Sequence, residues 1–155
     1  MTPQEFEKIK TAAEDFFKKT GLTLGVEVKN QTDSTIFVNV KADEPQFLIG
    51  ERGQTLSEIQ RLLRAVLRRQ AESPASFYVD VDINDYKKKK TEYLIEVAKT
   101  AADEVAITKR EKELPPMSSY ERRVIHTELA LRTDVVTESV GDEPERRVII
   151  KPRPI

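Results

Sequence analysis

The chain has 155 residues, 38% apolar and 34% charged, the balance of an ordinary globular protein rather than a disordered one. It has no cysteine and a single histidine, which excludes disulfide frameworks, thiolate metal sites and multi-histidine metal centres. Twenty-six basic residues against 27 acidic ones leave a net charge of −1, so phosphate binding has to come from local placement rather than a bulk positive field.

No apolar run approaches the roughly 18 residues that a membrane helix needs. The N-terminus opens into charged, periodic sequence rather than a signal sequence, so a cytoplasmic protein without direct membrane insertion is expected. The phosphate-cradling pattern GxxxxGK[ST] does not occur. Asp80, Asp82 and Asp85 could together hold magnesium, but strand alternation accounts more simply for the first two. A binding protein with no cofactor and no metal is expected, not an enzyme.

Thr2-Pro3-Gln4-Glu5 is a capping box with proline at the first helical position. Phe6, Ile9, Ala13, Phe16 and Phe17 keep one face of the following helix apolar, and Gly21 stops it. From Leu24 the period changes to two. Leu24, Val26 and Val28, then Ile36, Val38 and Val40, predict an antiparallel hairpin with Asn30–Ser34 as its turn. Glu44–Ile49 reads as a short helical turn that leads into Gly50-Glu51-Arg52-Gly53. A helix is predicted over Thr55–Ala71, with Leu56, Ile59, Leu63, Val66 and Leu67 on its apolar side and Arg61, Arg64 and Arg68 on a separate stripe. Pro74 breaks it, and Phe77, Val79, Val81 and Ile83 alternate as a third strand.

Asn84 is suited to cap a long helix over Asp85–Lys109. Leu114-Pro115-Pro116 ends any regular element, and a second capping box at Ser118–Glu121 starts a helix that runs to Leu131. Val135–Val140 and Arg146–Ile150 are strand-like, joined by Gly141-Asp142-Glu143-Pro144, and the proline-rich end reads as a loose tail. The expected fold class is α+β in two modules, residues 1–83 and 84–152. Acidic and basic residues nearly balance within each: 13 against 11 up to Asp82, 14 against 15 beyond it.

Two stretches carry chemistry. In Phe47-Leu48-Ile49-Gly50-Glu51-Arg52-Gly53, glycines three apart let backbone approach a sugar–phosphate chain without Cβ obstruction. The helix that follows aims its unpaired N–H groups and positive dipole end at the same place. The dipole contributes only about 0.3–1 kcal/mol, so Arg52 is expected to supply much of the local attraction, with Ile49 anchoring the loop. In the second stretch, Tyr120-Glu121-Arg122-Arg123-Val124-Ile125-His126, Arg122 and His126 are four residues apart and lie roughly 40° apart on one helical stripe. With Val124 and Leu131 turned to the core and Ile125 on the flank, this pair is expected at the surface, donating to phosphate oxygens, with Arg123 nearby. Arg61, Arg64, Arg68 and the run Lys87–Lys90 are lesser candidates, since four adjacent lysines point around a helix in all directions.

The loop, set between two helices after an N-terminal helix and hairpin and before a strand, resembles a type II KH domain, whose loop is written I-G-x-x-G. It departs from that pattern at Glu51, where such loops carry basic or neutral residues. Arg-x-x-x-His in its setting of flanking residues 114–123 and 136–150 resembles the R-three-H domain, helices on a three-stranded sheet that binds single-stranded nucleic acid. The two in succession resemble the bacterial Jag family, also called KhpB. That resemblance implies a single-stranded RNA-binding protein, with single-stranded DNA a second possible ligand. It also implies a post-transcriptional role linked to cell elongation, division and envelope regulation, and pairing with a small KhpA-like KH protein or with itself. Many members carry a further N-terminal domain and linker, whereas this sequence opens at the KH helix, as a short or trimmed member would. The nucleic-acid contacts are expected at Gly50, Glu51, Arg52 and Gly53 in the loop and at Arg122, Arg123 and His126 on the later helix, with Arg61 and Arg64 of the first-module helix stripe as lesser candidates. The alternative is a protein–protein adaptor that uses the same surfaces.

Overall fold

The capping box at the N-terminus forms as read. Thr2 Oγ1 accepts the Glu5 N–H at 3.2 Å, and Glu5 Oε2 accepts the Thr2 N–H at 2.9 Å, opening α1 (Pro3–Lys18). This computed structural model describes residues 1–32, 34–71 and 77–154. The chain divides into two compact units, Met1–Lys87 and Lys88–Ile155.

In the first unit, β1 (Leu24–Thr32) pairs antiparallel with β2 (Thr35–Ala42), setting Val26 opposite Val40 and Val28 opposite Val38. The strands run further than alternation suggested: Asn30 pairs with Ile36 and Thr32 with Thr35. Most of the expected Asn30–Ser34 turn is therefore strand, because a solvent-facing ribbon is held by backbone bonds that polar residues make equally well. Asp33 lies outside the described residues, as does Pro74.

After β2 come α2 (Gln46–Ile49), a 3₁₀ turn (Glu51–Gly53) and α3 (Gln54–Gln70), and then β3 (Tyr78–Ile83). β3 lies parallel to β2, Val38 opposite Val81 and Val40 opposite Ile83, so β2 is the central strand. A parallel neighbour requires a crossover, and α2 and α3 supply it. The buried side chains of both strands meet Ile9, Ala13 and Phe17 of α1 and Leu56, Leu63 and Leu67 of α3 in one core. The side-chain oxygen of Gln60 on α3 accepts the Val81 N–H at 2.9 Å and the Lys87 ammonium at 2.6 Å.

α4 (Tyr86–Thr108) starts differently from expectation. Asn84 does not cap it: its amide bonds both the N–H and the C=O of Ala42, each at 2.8 Å. The buried carboxylate of Asp82 takes the Ile83 and Lys87 N–H groups instead, at 2.8 and 3.0 Å. Asn84 and Asp85 both adopt left-handed φ, 50° and 56°, and this carries the chain from strand to helix. Asp80 pairs with Lys87 at 2.7 Å, so the aspartates serve ion pairing and helix capping.

In the second unit, Leu94, Ala98, Ala101, Ala102 and Val105 of α4 form one wall of a core. β4 (Lys112–Glu113), β5 (Val135–Val140) and β6 (Arg147–Pro152) form a sheet in the order β4-β6-β5, both pairings antiparallel. α5 (Ser119–Leu129) opens on the second capping box, Ser118 with Glu121, and ends two residues before the expected Leu131. The end of the chain is not the expected loose tail: β6 reaches Pro152, and the Arg153 N–H donates to Asp134 O at 3.0 Å. Arg132 ties the end of α5 to α4 through Asp103 and to Asp134, each at 2.7 Å. No helix among the described residues is long and apolar enough to cross a membrane.

Candidate nucleic-acid interface

Gly50 (φ 72°, ψ −175°) sits in a region that only glycine occupies readily. A Cβ there would meet the Thr55 hydroxyl and would approach Thr55 Cβ to 2.8 Å. Gly53 is left-handed (φ 78°), and its Cβ would press on Tyr86 Cε1 at 2.9 Å. Gly50 is thus required by the fold, whereas a Cβ at Gly53 would need the left-handed backbone that Arg52 also adopts and a shift of the Tyr86 ring. Between them Glu51 and Arg52 are exposed, and Arg52 is itself left-handed at φ 55°. No side chain caps α3 among the described residues; the Gln54 N–H at its first position donates to Glu51 O, and the Gly53 N–H to Gly50 O at 3.4 Å. Leu48 and Ile49 pack against the core, as expected of the anchor, while Phe47 stands 71% exposed one turn before Gly50. Sequence reading had no signal for that exposure, because Phe47 adjoins two apolar neighbours.

The arginine stripe on α3 is not uniform. Arg61 and Arg68 are exposed, whereas Arg64 is half-buried and its Nε is enclosed without a hydrogen-bond partner. Of Lys87–Lys90, Lys87 is engaged by Asp80 and Gln60, and Lys90 lies 3.7 Å from Glu121.

On α5 the structure corrects the expected facing. The buried stripe is Arg122, Ile125 and Leu129, while Val124 is only half-buried and Leu131 is 92% exposed beyond the helix end. Arg122 turns inward at 9% exposure, its Nη2 2.8 Å from Glu143 Oε1 and its Nε donating to Met117 O at 3.4 Å. The long apolar stem of arginine allows this, since it can line a core while its head reaches a carboxylate at the rim. His126 is half-buried on the same side, Nδ1 2.7 Å from Thr137 Oγ1 and Nε2 2.8 Å from Ser139 Oγ. Arg122 and His126 do share a stripe, but one engaged by Glu143, Thr137 and Ser139 rather than open. Arg123 points away from that stripe and is exposed. Thr137 and Ser139 were missed, although their two-residue spacing on a strand already places them on one face.

Burial and the nearby charge of Arg122 hold the His126 pKa below its ordinary 6.5. The unfolded chain therefore takes up this proton first, so His126 contributes stability above pH 6.5 that is lost as pH falls through its folded pKa. Urea melts at pH 7 and pH 5 should show a loss in the wild type of which the His126→Gln variant lacks this part. An identical pH dependence in both would refute the assignment.

Residues 7–92 match the KH domain family and residues 92–152 the R-three-H domain family. The chain is 39% identical over 138 residues to the RNA-binding protein KhpB of Clostridium symbiosum, a match that covers 88% of this chain and 61% of that protein. It is 31% identical over 145 residues to RNA-binding protein KhpB of Bacillus subtilis (92% and 66%) and 32% identical over 133 residues to that of Lactiplantibacillus plantarum (86% and 40%). The chain thus spans from two fifths to about two thirds of the length of these relatives. With its KH domain followed by an R-three-H domain on a mixed α and β framework, the chain belongs to the Jag/KhpB family.

Proposed function

We propose that the chain binds single-stranded RNA, gripping the backbone at Gly50–Gly53 and again beside Arg122 and His126. The observation that carries this reading is the loop: two left-handed glycines, Gly50 with no room for a Cβ, an exposed Arg52 between them and a start of α3 that no side chain caps. Phosphate oxygens approaching it meet the Arg52 guanidinium and the positive dipole end of α3. Arg61 and Arg68, exposed on α3, add attraction near the strand, while Glu51 subtracts from it. Two weak contacts on one chain reinforce each other, because the second becomes intramolecular once the first has formed. This makes a net charge of −1 compatible with binding.

The relatives named RNA-binding protein KhpB support RNA as the ligand. Post-transcriptional regulation tied to envelope and division, pairing with a small KH protein or a second copy, and a cytoplasmic setting belong to the same proposal and rest on family likeness.

Fluorescence anisotropy with a labelled single-stranded oligoribonucleotide tests the loop. Affinity should fall log-linearly with salt concentration, and single strands should bind more tightly than duplexes. Arg52→Glu should lower affinity about tenfold, a change of about 1.4 kcal/mol, and Glu51→Gln should raise it. Equal binding by wild type and Arg52→Glu would remove the loop from the mechanism, and retention of a protein partner alone would favour the adaptor.

A further inference from the structure

α5 has a second face. Tyr120, Arg123, Val124 and Thr127 follow the three- and four-residue steps of one helical stripe, and they do not include Arg122 or His126. With Ile95 of α4 and Glu128 they line a cleft of about 280 Å³ on the α4–α5 side of the second unit. Tyr120 is 64% exposed. Arg123 is exposed and, among the described residues, no hydrogen bond or ion pair holds it. Glu128, the one acidic group in the lining, lies 3.6 Å from the Lys99 ammonium, which offsets its charge.

We infer that this cleft is a nucleotide subsite, in which the Tyr120 ring stacks on one base of a single strand and Arg123 takes an adjacent phosphate. The inference rests on the proposed RNA binding and extends it to a surface outside the arginine–histidine stripe. The chemistry selects the occupant. An apolar floor of Ile95 and Val124, an aromatic wall and a free guanidinium suit a flat ring attached to an anion. The volume falls just below the roughly 300–1,000 Å³ of ordinary small-ligand pockets, enough for one base. Stacking on a tyrosine tolerates any base, so the subsite adds affinity without sequence choice. It also gives α5 an available cation where Arg122 is engaged by Glu143.

The test uses the full chain and the same labelled oligoribonucleotide, comparing wild type with Tyr120→Ala, Tyr120→Phe, Arg123→Ala and the loop variant Arg52→Glu. All the substituted positions are exposed, and circular dichroism checks that each variant folds. Tyr120→Ala should weaken binding about tenfold, within the range seen for removing one aromatic–base stack, while Tyr120→Phe should bind like wild type because the ring face is kept. Arg123→Ala should weaken binding and reduce the salt slope by about 0.7, the value for one single-strand phosphate contact. If Arg52→Glu loses affinity but Tyr120→Ala and Arg123→Ala do not, the cleft proposal falls and the RNA reading stands. If Tyr120→Phe loses as much as Tyr120→Ala, stacking is wrong. If the wild type binds no RNA, both proposals fall together.

Discussion

Gly50→Ala should destabilise the first unit by about 3 kcal/mol, more than any replacement of the exposed residues beside it. Two costs combine. The backbone at φ 72°, ψ −175° is strained for any residue with a Cβ, by about 1–3 kcal/mol. The new methyl also runs into the hydroxyl and Cβ of Thr55, and overpacking of that kind costs about 1–3 kcal/mol. Chemical denaturation of wild type and variant, read by far-ultraviolet circular dichroism, measures the difference. A loss below about 1 kcal/mol would mean that α3 can shift away from the loop. The consequence for binding studies is direct: a glycine replacement here that abolishes RNA binding reports on folding as much as on contact. Glu51 and Arg52, which are exposed, report on contact alone.

The second large effect is expected at Arg122 and Glu143. Arg122→Ala removes a buried stem and the tie to the β5–β6 loop, and should cost the second unit about 2–3 kcal/mol. Glu143→Gln should cost less, about 1 kcal/mol, because the glutamine amide oxygen can still accept from Arg122 Nη2 and the arginine stem stays packed. The same replacement should raise RNA affinity several-fold, since a phosphate arriving at Arg122 no longer competes with a carboxylate for the guanidinium. Thermal melts and anisotropy on the two variants separate these effects. Should Glu143→Gln bind RNA no better than wild type, Arg122 acts in folding and not in phosphate recognition.

These two sites differ in how far they could be read from the chain. The loop was legible because its signal is local: glycine spacing, the apolar residues before it and the helix after it all lie close together in sequence. Both capping boxes were legible for the same reason. The facing of α5 was not. Val124, Ile125, Leu129 and Leu131 allow two choices of inward stripe, and an arginine looks like a surface residue until its stem is seen lining a core. Nothing local marks Glu143 as the partner of Arg122, 21 residues away.

The strands show the same division. Val38 and Val81 could be placed by alternation alone. β4 is two residues long and exists because Lys112 and Glu113 meet Ile150 and Ile149, a pairing set by the fold. Residues 30–32 read as turn because they are polar, yet they continue a ribbon that stays exposed there. Asn84 has the residue type of a helix cap, but its amide is matched to the backbone of Ala42, leaving Asp82 to serve the helix. Competition between two good uses of one side chain is decided by three-dimensional neighbours.

Gln60 has an effect beyond tying α3 to β3. The Val81 amide it occupies points away from β2, on the flank of the sheet where another extended chain would otherwise add. With the Ile83 amide also taken, by Asp82, an incoming strand finds two of the donors it needs already spent on side chains. Edge strands whose donors are taken make poorer templates for another chain, and strand addition along that flank is expected to be disfavoured.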